Sequence, residues 1–337
     1  MSNAATTRKT IDQRELPASN PPAIPLWAEN YVFEVTCPKA NAGFFLHVGR
    51  QPFNTDVWRD TFVCDLGGDE VYLWKGFGKG AHAAGPGGSQ MKFICEESFK
   101  RWTLEFDGAA QCVQRDLVLP GAGGALREGP IVPLRMRLDV VADGPIWDLG
   151  KTISTHDWGK EHYQQSMRVT GGEVVVNGKT TPMEGVATRD HTRGPRDFTG
   201  LGSYAWIHGG LPGGRHFIVM SLDPREGRTD QPPIRTAVIC EGDRIIDVEI
   251  LETTAIPKSR SGPPMSYLIR LKGPNGVETI EGERMTRGVI VGVGAPNHLM
   301  LGPSENSITK AHLCGTPTRF RWNGETCYGY SEQTIAV

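Results

Sequence analysis

The sequence predicts an all-β protein in which two β modules follow one another along the chain. From Tyr31 onward, apolar and polar residues alternate with a period of two in short runs, and Leu134 to Val140 is the cleanest such run. Turn-forming residues bound each run, among them the hairpin-type pairs Asp107-Gly108 and Asn177-Gly178. The 42 glycines and 24 prolines are typical of a turn-rich β protein. The regular spacing of the runs indicates large antiparallel sheets that curl or close.

The alternation breaks down between residues 142 and 165. Ser154 to Gln165 is polar and aromatic, and it can form a helical turn or two. We therefore predict a disordered, proline-rich segment at 1–28, a first β module at 29–160 and a second at 161–337. The two modules share a strand pattern but no residue-by-residue repeat.

Composition argues against several functional classes. The 36 Lys and Arg stand against 38 Asp and Glu, so the sequence shows no basic footprint for nucleic acid or anionic membranes. We find no secretory signal and no apolar run of about 18 residues, so we expect a cytoplasmic protein without a membrane span. The seven cysteines are odd in number and widely spaced, which favours reduced thiols.

No sequence motif for a metal or an organic cofactor is present. The nine histidines form no HxH or HExxH pattern, and no cysteine pair has the spacing of zinc ligands. The sequence has no G-x-S-x-G elbow, and the glycine-rich run Gly76 to Gly80 lies in a β region. We expect no cofactor and no metal, while a metal site assembled only by folding stays open.

The most informative segment is the charged run from Arg189 to Phe198, RDHTRGPRDF. It concentrates arginines, aspartates and a histidine around a Gly-Pro pair that cannot continue a helix or a central strand. Charges at this density are costly to bury. We interpret the run as a polar site at a strand end beside an apolar cavity. The alternative is a structural latch in which the charges pair with one another.

Asp190 and His191 are neighbours in this run, so on a strand they face opposite sides and at most one faces the cavity. His191 titrates near neutral pH and is the first candidate for acid–base catalysis. Asp190 is a candidate orienting or proton-donating group, and burial would raise its pKa. Arg193 or Arg196 is the candidate for holding an anionic or phenolate group. For His191 the alternative is a structural histidine.

A second set of candidates follows the charged run. Tyr204, Trp206 and His208 alternate and share one face of a strand. They form a predicted wall for an aromatic ligand, with Tyr204 and His208 available for proton transfer. The alternative is an ordinary core face. His162 and Tyr163 lie at the junction of the modules, where clefts commonly form, and they are either cavity residues or struts.

The first module contributes two further candidates. Trp58 is predicted to stack on the ligand, and His47, which shares a face with Phe45, is predicted to point into a barrel. A plain core or surface role is the alternative for both residues.

Two segments carry a family resemblance. Residues 161–171, EHYQQSMRVTG, are similar to the HYEQ…RVTG junction of the AttH-like and carotenoid-hydratase-like lipocalin proteins, and RDHTRGPRDF is similar to their RDHSWGPRDW segment. The resemblance implies two tandem lipocalin-like β-barrels or sandwiches around an apolar ligand cavity. It also implies cofactor-independent chemistry such as hydration or pericyclic cyclisation. Arg193 and Phe198 replace tryptophans of the family, and the cation favours a substrate with a phenol, carboxylate or carbonyl group.

Taken with these residues, the resemblance leads us to expect a cofactor-independent lyase or isomerase. It would hydrate, dehydrate or eliminate a small fragment from a bulky aromatic or polycyclic metabolite by general acid–base catalysis. The alternative is a non-catalytic binder or carrier of a hydrophobic or aromatic metabolite, because function resides in the site and not in the fold. A third alternative is a second module that only supports a site in the first. The expected partner is this small molecule and not nucleic acid, and a homodimer stays open.

Overall fold

The computed structural model describes residues 11–51, 54–82, 85–118, 129–152, 161–195, 201–227, 233–257, 262–294, 298–301 and 311–336. These residues are almost entirely β-strand, as the alternation predicts. Within them, helix is confined to 3-10 turns at Pro38–Ala40 and Arg115–Val118 and to a single α-helical turn at Leu149–Thr152. All seven cysteines are buried free thiols in this part of the chain.

The first half of the chain builds one large antiparallel sheet. Its strands, with one small separate hairpin (β5 and β6), are β1 (Trp27–Cys37), β2 (Ala42–Gln51), β3 (Asn54–Asp65), β4 (Glu70–Gly78), β5 (Ala81–His82), β6 (Gly85–Pro86), β7 (Met91–Glu97), β8 (Arg101–Gln114), β9 (Ile131–Asp148), β10 (Glu161–Val176), β11 (Lys179–Pro182) and β12 (Gly185–Pro195).

This sheet closes on itself. The pairing order β10-β12-β1-β2-β3-β4-β8 is completed by β9, which pairs with both β8 and β10. The result is a closed ring of eight strands, here named the first barrel. In β9, Leu134, Met136 and Leu138 are buried while the residues between them are exposed, which is the period of two seen in the sequence.

The second half of the chain builds another sheet. Its strands are β13 (Leu201–Leu211), β14 (Arg215–Pro224), β15 (Ile234–Glu241), β16 (Arg244–Thr253), β17 (Ser266–Gly273), β18 (Gly276–Arg284), β19 (Val289–Gly294), β20 (His298–Leu301), β21 (Ala311–Trp322) and β22 (Glu325–Ala336). The order β18-β17-β16-β15-β14-β13-β22-β21 is closed by pairing of β21 with β18, and this ring is named the second barrel.

Three apolar cores follow from the two faces of these strands. Phe33 and Phe62 belong to the core inside the first barrel, and Phe217 and Trp322 to the core inside the second. The third core, described with the site, joins outward-facing residues of both barrels. Each barrel therefore has a filled lumen, and the two barrels pack side by side.

The sheets change between Pro195 and Leu201. The sequence analysis assigned residues 161–195 to the second module, whereas β10, β11 and β12 pair in the first sheet. Strands β10 and β12 thus belong to the first barrel although they follow the predicted boundary. They close the ring, because β12 pairs with β1 and β10 pairs with β9. The segment predicted to be helical falls partly on residues 153–160, outside the described residues.

The N-terminal region also differs from its expectation. The sequence analysis assigned residues 1–28 to a disordered segment, but β1 begins at Trp27 and Glu15 is completely buried. The physical reason is an ion pair that Glu15 makes inside the first barrel, described below.

Candidate active site between the two barrels

The outer face of the first barrel carries buried polar side chains where it meets the second barrel. On this face the antiparallel register aligns one row across five strands, formed by Gln164, Asp190, Val32, His47 and Thr61. Polar groups on the outside of a barrel are normally solvated, so their burial means that other parts of the protein cover them. We name this set the inter-barrel polar patch; its members are Asn30, Glu34, His47, Arg59, Thr61, His162, Gln164, Thr188, Asp190 and Thr192.

An apolar core borders the patch. Phe45 and Leu73 of the first barrel and Trp206 and Met220 of the second barrel belong to this core, which also includes Tyr204. The predicted stripe therefore lies on the outer face of the second barrel and not in its lumen. Tyr204 and Trp206 supply aromatic surface directly beside the polar patch.

His208, the third residue of that stripe, makes two hydrogen bonds to the first barrel. Its Nε2 lies 2.7 Å from Glu34 Oε2 and its Nδ1 lies 2.7 Å from Thr188 Oγ1. Burial lowers the pKa of His208 to about 3. Burial, and then the nearby carboxyls of Glu332 and Asp190, raise the pKa of Glu34 well above its usual range. Both shifts favour a neutral pair, in which the Glu34 carboxyl donates to the His208 imidazole.

Two tertiary features hold His208 in place. Strand β22 approaches β13 so closely that a Cβ at Gly329 would lie 1.9 Å from the His208 carbonyl oxygen, which requires glycine there. The Gly329 carbonyl in turn accepts a 2.6 Å hydrogen bond from Thr36 Oγ1 of the first barrel. The Trp206 ring is 5.0 Å and the Tyr330 ring 6.4 Å from the imidazole.

A second histidine–carboxylate pair lies in the same patch. His162 Nε2 is hydrogen-bonded to Asp190 Oδ2, which also accepts a 3.1 Å bond from Gln164 Nε2. His162 is 1 % and Asp190 is 5 % exposed. Because Asp190 binds one nitrogen of the ring, it fixes the orientation of His162 and leaves Nδ1 for another group.

Several atoms of the patch and its border are buried without a hydrogen-bond partner among the described residues. They are His162 Nδ1, Gln164 Oε1, Thr61 Oγ1, Thr192 Oγ1 and Trp206 Nε1. Buried polar groups in proteins are nearly always hydrogen-bonded, to protein, water or ligand. Their presence on the facing surfaces of two barrels is typical of a site that binds a partly polar molecule.

The patch ends in positive charge. Arg59 is 2 % exposed, and burial lowers its pKa to about 10. Lys75, on the adjacent strand, pairs with Thr61 and so lies diagonally across from Arg59 on the same face. Burial, and then the Arg59 charge, lower the pKa of Lys75 to about 8. This edge favours an anionic group in a ligand.

The inward face of β12 has a different character. Arg189 is completely buried in the first barrel and forms a bidentate ion pair with Glu15, at 2.5 Å and 2.6 Å. The guanidinium also lies 5.4 Å from the Trp102 ring. This geometry is that of a closed structural pair.

His191 and Arg193 both bind Glu29 on this inward face. His191 Nε2 lies 3.2 Å and Arg193 Nε 2.7 Å from Glu29 Oε1, and the His191 ring stacks on Tyr31 at 3.8 Å. Burial acts to raise the Glu29 pKa, but the hydrogen bond from His191 and the Arg193 charge lower it to about 2. Burial lowers the pKa of His191. We name the whole set the lumen clasp; its members are Glu15, Glu29, Arg189, His191 and Arg193.

The predicted residues of the charged run therefore separate. Asp190 faces the second barrel, while His191 and Arg193 face the first lumen. Besides Glu29, Arg193 donates to Glu161 at 3.2 Å and to the Leu16 carbonyl. These partners occupy its guanidinium, so in this arrangement Arg193 does not hold a substrate anion. Arg196 lies outside the described residues.

Three other candidates are also distributed by strand face. The prediction that His47 points into a barrel is wrong, because Leu46 and Val48 take the lumen face and His47 belongs to the patch, where its Nε2 lies 3.0 Å from Asn30 Oδ1. Trp58 instead belongs to the core of the first barrel, under the Arg50 guanidinium at 4.7 Å. Tyr163 lies on the inward side of β10, 6.4 Å from the His191 ring. Trp58 and Tyr163 thus lie on the lumen side of the first barrel and not in the inter-barrel polar patch.

Sequence reasoning missed Glu34, Thr188 and Gln164 as members of the patch. Glu34 stands in the alternating run Tyr31 to Thr36 on the face opposite Phe33, where a polar residue is expected to be solvated. The sequence does not show that a second barrel covers this face. It shows only that the face is polar.

Two general observations complete the description of the site. Within the described residues, no group of three or more His, Cys, Asp or Glu is arranged to hold a metal ion. No helix in that part of the chain is both long and apolar enough to cross a bilayer.

Two closed eight-stranded barrels with a buried polar patch between them define the class as tandem lipocalin-like β-barrel proteins, as the sequence resemblance predicts. Residues 12–334 match the family described as a domain of unknown function (DUF7064), and the chain belongs to that family. A sequence search among curated proteins found no match.

Solved structures share this fold over nearly their whole length. A protein of Nitrosomonas europaea assigned as AttH is 14 % identical, with 92 % of each chain covered and a TM-score of 0.55. CghA, solved with Sch210972, is 10 % identical, with 92 % of this chain and 88 % of that chain covered and a TM-score of 0.53. Kievitone hydratase from Nectria haematococca is 12 % identical, with 97 % and 95 % covered and a TM-score of 0.51. At these identities the likeness shows the fold.

Proposed function

We propose that this chain is a cofactor-independent lyase or isomerase whose active site is the inter-barrel polar patch. The observation that carries the proposal is the pair of buried histidine–carboxyl contacts, His208–Glu34 between the two barrels and His162–Asp190 between neighbouring strands of the first barrel. Environments that push pKa values apart distinguish an acid from a base within one site. Here one carboxyl is held neutral and the other orients a histidine.

The proposed reaction assigns one role to each pair. In hydration, Glu34 donates its proton to one carbon of the substrate double bond, and His162 Nδ1 takes a proton from the water whose oxygen bonds to the other carbon. Dehydration runs the same transfers backward. In either direction the proton returns from one pair to the other after turnover. Thr188 and Asp190 are two residues apart on one strand face, so the pairs lie roughly 7 Å apart along β12.

The surroundings favour a bulky, partly polar substrate. Trp206, Tyr204 and Phe45 provide apolar and aromatic surface, and Arg59 with Lys75 provides positive charge at the edge. A substrate with a phenol or carboxylate on an aromatic or polycyclic skeleton would match both the apolar surface and the positive edge. In a site that excludes water these charges act more strongly than in solution.

The structural neighbours support the reaction class. One of them carries the name hydratase, and another was solved with a bound small molecule. The competing proposal is a carrier, which the unpartnered polar atoms of the patch would also suit. The two proposals differ in whether a bound compound is converted.

A metabolite panel tests the proposal. Purified protein is incubated with aromatic and terpenoid compounds, each phenol or carboxylic acid accompanied by its neutral ether or ester, and mass spectrometry detects gain or loss of one water or one formaldehyde. We expect conversion of at least one anionic member by the wild type and its loss in His162→Gln. The control His216→Gln changes a buried histidine whose Nε2 binds the Asp143 carbonyl oxygen instead, and it should stay active. Chromatography before mass spectrometry also separates isomers of unchanged mass, so tight binding with neither a mass change nor a new isomer would favour the carrier.

A further inference from the structure

The lumen of the second barrel is divided into an apolar and a polar half. Phe320 and Trp322 of β21 fill the apolar half. Thr316 and Thr318 continue the same face of β21 by alternation and are completely buried. Ser331 on β22 and Arg284 on β18 are buried beside them, since Thr316 pairs with Ser331 and Thr318 pairs with Arg284. A closed barrel thus encloses an arginine.

Arg284 is a buried cation without a counter-charge in the described residues. It is 3 % exposed, and its Nη2 donates to the Arg287 carbonyl and to Cys314 Sγ, both at 3.2 Å. Its Nε and Nη1 have no hydrogen-bond partner in the described part of the chain. No carboxylate there lies within 4.0 Å of its nitrogens.

The first barrel shows how a buried arginine is normally accommodated. Arg189 is equally enclosed and has both oxygens of Glu15 within 2.6 Å. A guanidinium does not lose its proton in proteins, and an unpaired buried charge is strongly unfavourable. Among the described residues Arg284 therefore lacks the carboxylate partner that Arg189 has, and its Nε and Nη1 are positioned to bind an anion.

The neighbouring groups are hydroxyls that hydrogen-bond to one another, and Thr318 Oγ1 also donates to the Thr316 carbonyl. Tyr267 Oη is hydrogen-bonded to Ser331 Oγ, which lies 2.8 Å from Thr318 Oγ1. Burial raises the pKa of Tyr267, so its phenol stays protonated and does not supply negative charge. Ser221 Oγ, on the lumen face of β14, is buried without a partner among the described residues.

We propose that the lumen of the second barrel binds a small monovalent anion, a halide or a carboxylate of formate size, on Arg284 Nε and Nη1. The site is separate from the inter-barrel polar patch, because it lies on the opposite face of the second barrel's sheet. Its function is to complete the polar half of this lumen, so the anion acts as a structural ligand of the second barrel.

Two experiments test this inference. The first is a bromide soak of wild-type crystals, in which anomalous scattering should give a peak in contact with Arg284. The second measures the unfolding midpoint in sodium chloride, bromide, formate and gluconate at constant ionic strength. A bound ligand stabilises the folded state in proportion to the logarithm of its concentration above its Kd. We expect the midpoint to rise with the small anions and not with gluconate.

Variants make the result specific. In Arg284→Met the anion-dependent rise should disappear, whereas Arg321→Met, which removes an exposed arginine from β21, should keep it. An equal rise in all three proteins would overturn the proposal. So would the absence of bromide from the lumen in crystals, and this outcome can be read even if Arg284→Met does not fold. Chloride or bromide alone causing the rise would identify a halide site, and formate alone a carboxylate site.

Discussion

The two faces of β12 build two different kinds of site. On the inward face Arg189, His191 and Arg193 form the lumen clasp, in which each cation or histidine has a carboxylate partner. On the outward face Asp190 belongs to the inter-barrel polar patch, where a neutral carboxylic acid, a neutral imidazole and unpartnered polar atoms meet. The comparison teaches that charge density in a sequence does not separate a structural clasp from a proposed active site. The completeness of the pairing does.

The largest expected effect is a loss of turnover on substitution in the inter-barrel polar patch. Glu34→Gln removes the proposed acid and keeps the shape and a hydrogen bond to His208, so turnover of a substrate found in the panel should fall roughly 10²- to 10⁴-fold. Steady-state kinetics measures the change in kcat, and circular dichroism checks the fold. Unchanged kcat would remove Glu34 from the mechanism and leave the patch as another closed pair.

Substitutions in the lumen clasp should lower the stability of the fold. Glu15→Gln leaves Arg189 buried without its counter-charge, so the free energy of unfolding should fall by about 3–5 kcal/mol. Urea denaturation measures this loss. The matched control Asp12→Asn breaks an exposed pair with Arg14, where the side chains are 34 % and 56 % exposed, and should cost less than about 1 kcal/mol. Equal losses in both variants would mean that the clasp is no stronger than a surface ion pair.

The smallest effect is a pH dependence that distinguishes the two regions. The Glu34 pKa is raised above its ordinary value of 4.5, so folding keeps a proton that the unfolded chain releases, and stability falls as pH rises above 4.5. The His208 pKa is lowered from 6.5 to about 3, so between these values the unfolded chain binds more protons and stability rises with pH. Above pH 6.5 His208 adds no further pH dependence. Above pH 6.5 the wild type should therefore lose stability relative to Glu34→Gln.

The clasp gives the opposite pH profile. The Glu29 pKa is lowered from 4.5 to about 2, so its contribution is fully present above 4.5 and is lost as pH falls toward 2. Parallel unfolding curves for wild type and Glu34→Gln at every pH above 6.5 would contradict the protonated state assigned to Glu34. Thermal unfolding over a pH series measures both profiles.

The alternation predicts the strands well because each strand has a lumen face and an outer face. The stripe Tyr204, Trp206, His208 shares one face in the structure as in the prediction, since residues two apart on a strand must do so. Asp190 and His191 separate for the same reason. The catalytic roles proposed for Asp190, His191 and His208 stay predictions. Asp190 and His208 lie at the inter-barrel polar patch, whereas His191 lies in the lumen clasp.

The module boundary shows what local pattern does not provide. Strands β10 and β12 look like the start of a new module in sequence, but they close the first ring by pairing with β9 and β1. Ring closure joins residues that are far apart in the chain, and no period of two specifies which distant strand is the partner. The buried state of Glu15 depends on the same long-range contact.

By itself, the sequence determined the period of the strands, the all-β class and which residues share a face, because these follow from backbone geometry within one strand. Only the tertiary structure decided that the polar outer face of the first barrel is buried, that Glu34 meets His208, and that Arg189 and Arg193 turn inward. Burial and pKa depend on which surfaces cover one another, and that is a property of packing between strands distant in the chain.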